Sequence, residues 1–149
     1  MSTPFLTNSI RQGAETLLKG LAALVLCASL VAAEPVRWEG WNPEIFARAR
    51  REKRYVLLEL EAVWCHWCHV MEETTYQDPE VLDKLRQHYL TVKVDQDSRP
   101  DLASRYEEYG WPATIIFAPE GHEIVCLTGY VPPRRMASIL QGVVDDPSP

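Results

Sequence analysis

The chemistry of this sequence concentrates at Trp64-Cys65-His66-Trp67-Cys68-His69. Two cysteines with two residues between them can bring their sulfurs to bonding distance, about 2 Å, within one helical turn. A Cys-x-x-Cys where a strand ends and a helix begins is a redox motif. The first sulfur then faces unpaired backbone N–H groups and the positive end of the helix dipole, and both favour thiolate over thiol. Cys65 is therefore expected to be the exposed attacking cysteine and Cys68 the buried resolving one. His66, when protonated, would add to the stabilisation of the Cys65 thiolate. If the pKa of Cys65 fell from about 8.5 to about 6.5, its thiolate fraction at neutral pH would rise about 25-fold. Nucleophilicity would fall about 8-fold, so attack would speed up only about threefold. Such tuning sets redox poise more than rate.

Two carboxylates are expected near this pair. Glu59 is six residues before Cys65 in an apolar stretch, where a desolvated carboxyl acquires a raised pKa. It could take the proton of Cys68 as that sulfur attacks a mixed disulfide. Glu72 is seven residues after Cys65, two helical turns on, and is expected near the same sulfurs.

These residues need a strand and a helix to hold them, and the pattern supplies both. Tyr55-Val56-Leu57-Leu58 and Leu60 predict a strand over 55–63, apolar enough for burial on both faces. Residues 65–73 read as the helix that follows. Asn42-Pro43-Glu44 offers an N-cap and a first-turn proline for a helix over 42–52. Asp78-Pro79-Glu80 starts another, with Val81, Leu82 and Leu85 on one face. A strand is expected at 90–95, a helix at 100–109, a hairpin of strands at 113–118 and 123–128, and a final helix at 133–144. A β-α-β unit followed by β-β-α makes an α/β fold, a four-stranded mixed sheet with helices on both faces. The strand at 55–63 is expected at its centre, beside those at 90–95 and 113–118.

The chain has 149 residues, enough for one domain, and 46 % of them are hydrophobic. Its formal charge of −6 argues against a nucleic-acid partner. Arg11 and Lys19 precede an apolar run, Leu21 to Ala33, that exits through small residues. That layout reads as a secretory signal peptide over 1–33, cleaved after Ala33, with the domain at 34–149 and a periplasmic destination. The run is too short, as helix, for a bilayer core about 30 Å thick. Cys27 follows Leu26, where a lipoprotein signal wants a small residue. Cleavage would leave Cys65, Cys68 and Cys126, so at most one intramolecular disulfide, in a compartment where disulfides persist.

With these residues in place, the sequence resembles the thioredoxin superfamily. The resemblance rests on Trp64-Cys65-His66-Trp67-Cys68, on Gly110-Trp111-Pro112 ahead of a β-branched strand, and on the element order. It implies a thioredoxin-like fold in which Pro112 is cis, packs against the cysteines and helps to bind the substrate backbone along Trp111. It places the family's buried acid on Glu59, where many members carry Asp. The stretch Cys65 to Glu72, with Val92-Lys93-Val94-Asp95 and Arg99-Pro100-Asp101, is similar to the thioredoxin-like domain of the spermatogenesis-associated/DUF255 proteins. The set Glu59, Cys65, Cys68, Glu72 and Asp78-Pro79 is similar to the C-terminal domain of the bacterial inner-membrane thiol:disulfide interchange reductase. That likeness implies proton-transfer roles for Glu59 and Glu72.

Other readings of the same residues are weaker. Cys65 to His69 spells the Cys-x-x-Cys-His of covalent haem attachment, with Met136 or His122 as a distal ligand, but a buried strand feeds the motif. Copper handling through Cys65, Cys68, His66 and His69 lacks a second ligand pair. A non-catalytic binding module would not need both cysteines. Asp95, Asp97 and Asp101 lack the glycine and terminal Glu of a calcium loop. Cys126 reads as a small buried hydrophobe, and Trp38 and Trp41 as packing residues. Trp64, His66 and Trp67, with Trp111 and Pro112, would meet the substrate. The expectation is a monomeric, exported thiol:disulfide oxidoreductase that reduces partner proteins, needs no cofactor or metal, and is reset by a membrane electron donor.

Overall fold

The computed structural model describes residues 34–148. The signal-peptide reading of 1–33 lies outside them. Along these residues run α1 (Ile45–Glu52), β1 (Tyr55–Glu61), α2 (His66–Thr74), a 3-10 turn (Thr75–Gln77), α3 (Pro79–His88) and β2 (Tyr89–Asp95). Then come α4 (Pro100–Arg105), a second 3-10 turn (Glu107–Tyr109), β3 (Ala113–Phe117), β4 (Glu123–Thr128) and α5 (Pro133–Asp145).

The strands form one sheet in the order β2-β1-β3-β4. β1 runs parallel to β2 and antiparallel to β3, and β4 closes a hairpin on β3. This is the expected mixed sheet with β1 inside it, in a thioredoxin-like α/β fold. Register sets Glu59 between Lys93 on β2 and Thr114 on β3. Val56, Leu58 and Leu60 join an apolar cluster with Ile45 and Ala49 of α1 and Leu102 of α4. Leu57 packs on the opposite face with Met71, Tyr76, Leu85 and Met136, under α2, α3 and α5. The alternation follows from the two-residue period of a strand.

Several boundaries differ from the sequence expectation. Asn42 does not cap α1: its Oδ1 accepts from the amide of Glu44 at 3.0 Å, closing a local turn, and the helix begins at Ile45. Asp78 does cap α3, accepting from Glu80 and Val81 at 3.0 and 3.2 Å, a contact worth about 1 kcal/mol. β1 stops at Glu61 because β2 and β3 offer no partner beyond that register, leaving Val63 exposed. The helix expected over 100–109 breaks at Tyr106, whose φ of −117° leaves helical space. Residues 36–41 were not anticipated to join the sheet, yet Glu39 bridges Val92, with Lys93 N donating to Glu39 O at 2.9 Å. Trp38 packs edge-on against Tyr76 at 4.8 Å and Trp41 against Phe46, in the packing roles expected of them. Cys126 sits half-buried on β4.

Candidate active site

Cys65 is the N-cap of α2, in extended backbone at φ −81° and ψ 104°. Its Sγ accepts from the amide of Cys68 at 3.2 Å, so the sulfur sits where the helix leaves its N–H groups unpaired. Cys65 and Cys68 are joined in a disulfide with their Cα atoms 5.3 Å apart. The expectation of an exposed Cys65 needs correction. Cys65 is 5 % exposed and Cys68 4 %, so burial does not separate their roles. The reason is packing: Ala62 and the two cysteines form a small cluster, and Trp111 lies against it.

The cluster is closed by the loop before β3. Gly110 adopts φ +68°, a conformation that disfavours any residue with a Cβ. The Trp111–Pro112 peptide that follows is cis and Pro112 is buried. The Pro112 carbonyl accepts from Gly129 N at 2.8 Å, which ties this loop to the end of β4. Trp111 Nε1 is buried without a partner among the described residues.

Around the disulfide the surface is aromatic. Trp64 is 68 % exposed and Trp67 54 %. Trp67 stands against the exposed ring of His66 at 5.4 Å and against Tyr130 at 5.6 Å. His69 takes a hydrogen-bonding position against the Val63 carbonyl at 2.9 Å and so braces the loop before the motif. Met136, offered above as a haem ligand, is buried in the apolar core, and His122 lies exposed in the hairpin turn. Among the described residues no three His, Cys, Asp or Glu side chains converge as metal ligands would.

Glu59 lies in the interior at 2 % exposure. Its Oε2 accepts from Tyr76 Oη at 2.6 Å and from Thr114 Oγ1 at 2.8 Å. Burial pushes the carboxyl up from 4.5 to about 8, while these two donors and the charge of Lys93 pull it back. Glu72 is placed differently. It is half-buried and ion-paired to Lys93, whose Nζ also meets Glu61 at 3.4 Å and lies over the Trp38 ring at 4.6 Å. Both acids therefore face one lysine, Glu59 by strand register and Glu72 by direct contact. Sequence reasoning assigned no role to Tyr76, Thr114, Lys93 or Tyr130. The usable signal was polarity out of place: a lysine inside an apolar strand, and a threonine in a strand buried along its whole length.

Comparison with known proteins agrees with this architecture. The Thioredox_DsbH family, described as "Protein of unknown function, DUF255", matches residues 28–145. Human spermatogenesis-associated protein 20 is 36 % identical over 111 residues, 69 % of this chain and 14 % of that protein. The thiol:disulfide interchange protein DsbD of Pseudomonas fluorescens is 37 % identical over 78 residues, 50 % of this chain and 13 % of its own length. This chain thus spans about a seventh of either relative. A thioredoxin from Thermus thermophilus, solved in solution, superimposes with a TM-score of 0.66 at 27 % identity, covering 74 % of this chain and 88 % of its own.

Proposed function

This chain belongs to the DUF255 family of thioredoxin-like proteins, and from that premise we propose that it is a thiol:disulfide oxidoreductase that reduces disulfides of partner proteins. The observation that carries the reading is the Cys65–Cys68 disulfide at the opening turn of α2, with the Cys68 amide on the Cys65 sulfur. In the reduced protein the Cys65 thiolate attacks a partner disulfide. One partner sulfur leaves with the electron pair, and the other stays bonded to Cys65. Cys68 then attacks Cys65 Sγ, its proton passing to Glu59. The second partner sulfur leaves as thiolate and the Cys65–Cys68 bond is restored. Two electrons have passed to the partner, and a membrane electron donor returns them. Trp64, His66 and Trp67 form the docking rim, and the Trp111 backbone beside Pro112 aligns the partner chain. Glu72 anchors Lys93 beside the proton acceptor.

The thiol:disulfide interchange named in the Pseudomonas relative supports this reading for the segment the two share. Export to the periplasm after cleavage at Ala33, and action as a monomer, complete the proposal. Reduction of insulin disulfides in the presence of dithiothreitol tests the activity. Cys68→Ser should accumulate mixed disulfides through Cys65, and Cys65→Ser should lose both trapping and turnover. Absence of insulin reduction together with absence of any trapped partner overturns the proposal.

A further inference from the structure

Building on the exchange proposed for Cys65 and Cys68, we propose that Tyr76 and Thr114 are positioning residues: their hydroxyls clamp one oxygen of Glu59 and leave the other to receive the proton of Cys68. Tyr76 Oη and Thr114 Oγ1 approach the same atom, Oε2, at 2.6 and 2.8 Å. Both lengths lie within the ordinary range of O–H···O hydrogen bonds. Among the described residues Oε1 takes no hydrogen bond. The donors come from different elements, Tyr76 from the 3-10 turn after α2 and Thr114 from β3, two residues after Pro112. Both are buried, at 1 % and 0 % exposure, so neither hydroxyl has solvent as an alternative partner. A carboxyl held on one oxygen from two directions cannot swing away, and its free oxygen has a fixed place.

The clamp also decides whether the acid can work as a base. The groups that act on Glu59 are Tyr76 after α2, Thr114 on β3, Lys93 on β2 and Glu61 on β1 itself, while Glu72 acts on Tyr76 and pairs with Lys93. Burial favours the neutral acid and so does Glu61, while Lys93 and the two hydroxyls favour the carboxylate. Tyr76 keeps its own proton, because burial and the neighbouring acid push its ionisation well above the usual range. It can therefore serve as a donor throughout the cycle. In the resolving step the Cys68 S–H bond breaks and its proton goes to Glu59 Oε1. The Cys68–Cys65 bond forms, the bond from Cys65 to the partner breaks, and the electron pair leaves on the partner sulfur. The cysteine pair is oxidised by two electrons and the partner is reduced.

The test uses the full chain, reduced and mixed with an aromatic disulfide whose thiol product is coloured. One equivalent of colour follows attack by Cys65 and a second follows resolution by Cys68, so the two steps separate in time. In the wild type the resolving rate should rise with pH through a midpoint near the Glu59 value of about 8. Thr114→Val and Tyr76→Phe should each raise that midpoint by about one pH unit, which slows resolution at neutral pH about tenfold. Thr114→Ser, which restores a hydroxyl, should return it. Unmoved midpoints in folded Thr114→Val and Tyr76→Phe overturn the clamp while leaving the exchange intact. If Tyr76→Phe does not fold, Thr114→Val against Thr114→Ser decides alone. A wild type that releases no second equivalent overturns the exchange itself, and the clamp with it.

Discussion

The two faces of β1 are built from alternate residues of one seven-residue strand, and they differ in kind. Val56, Leu58 and Leu60 look toward α1 and α4 into a mainly apolar cluster that holds no charged side chain. Leu57 and Glu59 look toward α2, α3 and α5, where a carboxyl, two hydroxyls and a nearby lysine interrupt the apolar packing. Leucine at 59 would be the ordinary choice for such a strand. A carboxyl there carries a desolvation cost that hydrogen bonds offset only in part. The face that bears this cost is the face that carries the helix of the two cysteines. One side of β1 is uniformly packed, and the other holds the acid for which we propose a role in proton transfer.

The largest effect that can break this contrast is a pH slope. Glu59 has its folded-state pKa raised from 4.5 to about 8, so the native state holds a proton that the unfolded chain has already lost between those values. Stability is then fully present below pH 4.5 and declines as pH rises toward 8, by at most about 5 kcal/mol. Urea unfolding of the disulfide form across that window should show the decline, and Glu59→Gln should flatten it. A variant that keeps the wild-type slope would assign the effect elsewhere.

On the opposite face the expected behaviour is different in shape. Leu58→Ala should cost about 3 kcal/mol, through lost burial and a cavity, at every pH alike. The slope due to Glu59 should survive this change. If Leu58→Ala altered the slope, the two faces would not be independent.

The smallest effect sharpens the contrast at the surface of α2. Trp67 is exposed, so Trp67→Ala should change unfolding free energy by less than about 0.5 kcal/mol. As part of the proposed docking rim, its removal should still lower kcat/KM for insulin about fivefold, a loss of about 1 kcal/mol. Equal rates for the two proteins would remove Trp67 from the rim.

Much of this was legible before any coordinates. Cap and turn residues placed the helices: Asp78 with Pro79 started α3 where expected, because its Oδ1 accepts from the amides of Glu80 and Val81 in the first turn. Asn42 carried the same signal but spent its oxygen on a turn, accepting from Glu44 two residues on. The break at Tyr106 and the short turn at Thr75–Gln77 were invisible because 3-10 geometry shares its residues with the ends of α-helices. The burial of Cys65 was misread because spacing says how far apart two sulfurs lie, not what lies over them. Trp111, distant along the chain, supplies that cover.

Element order, the sulfur pair at a helix opening and an acid in a buried strand can be read along the chain, because local propensity, capping and periodicity act over a few neighbouring residues. Which groups surround that acid depends on how distant segments pack. Strand register brings Lys93 and Thr114 beside Glu59, and helix packing brings Tyr76 onto it, across separations that no local pattern encodes. The proton affinity of Glu59 is set by that company.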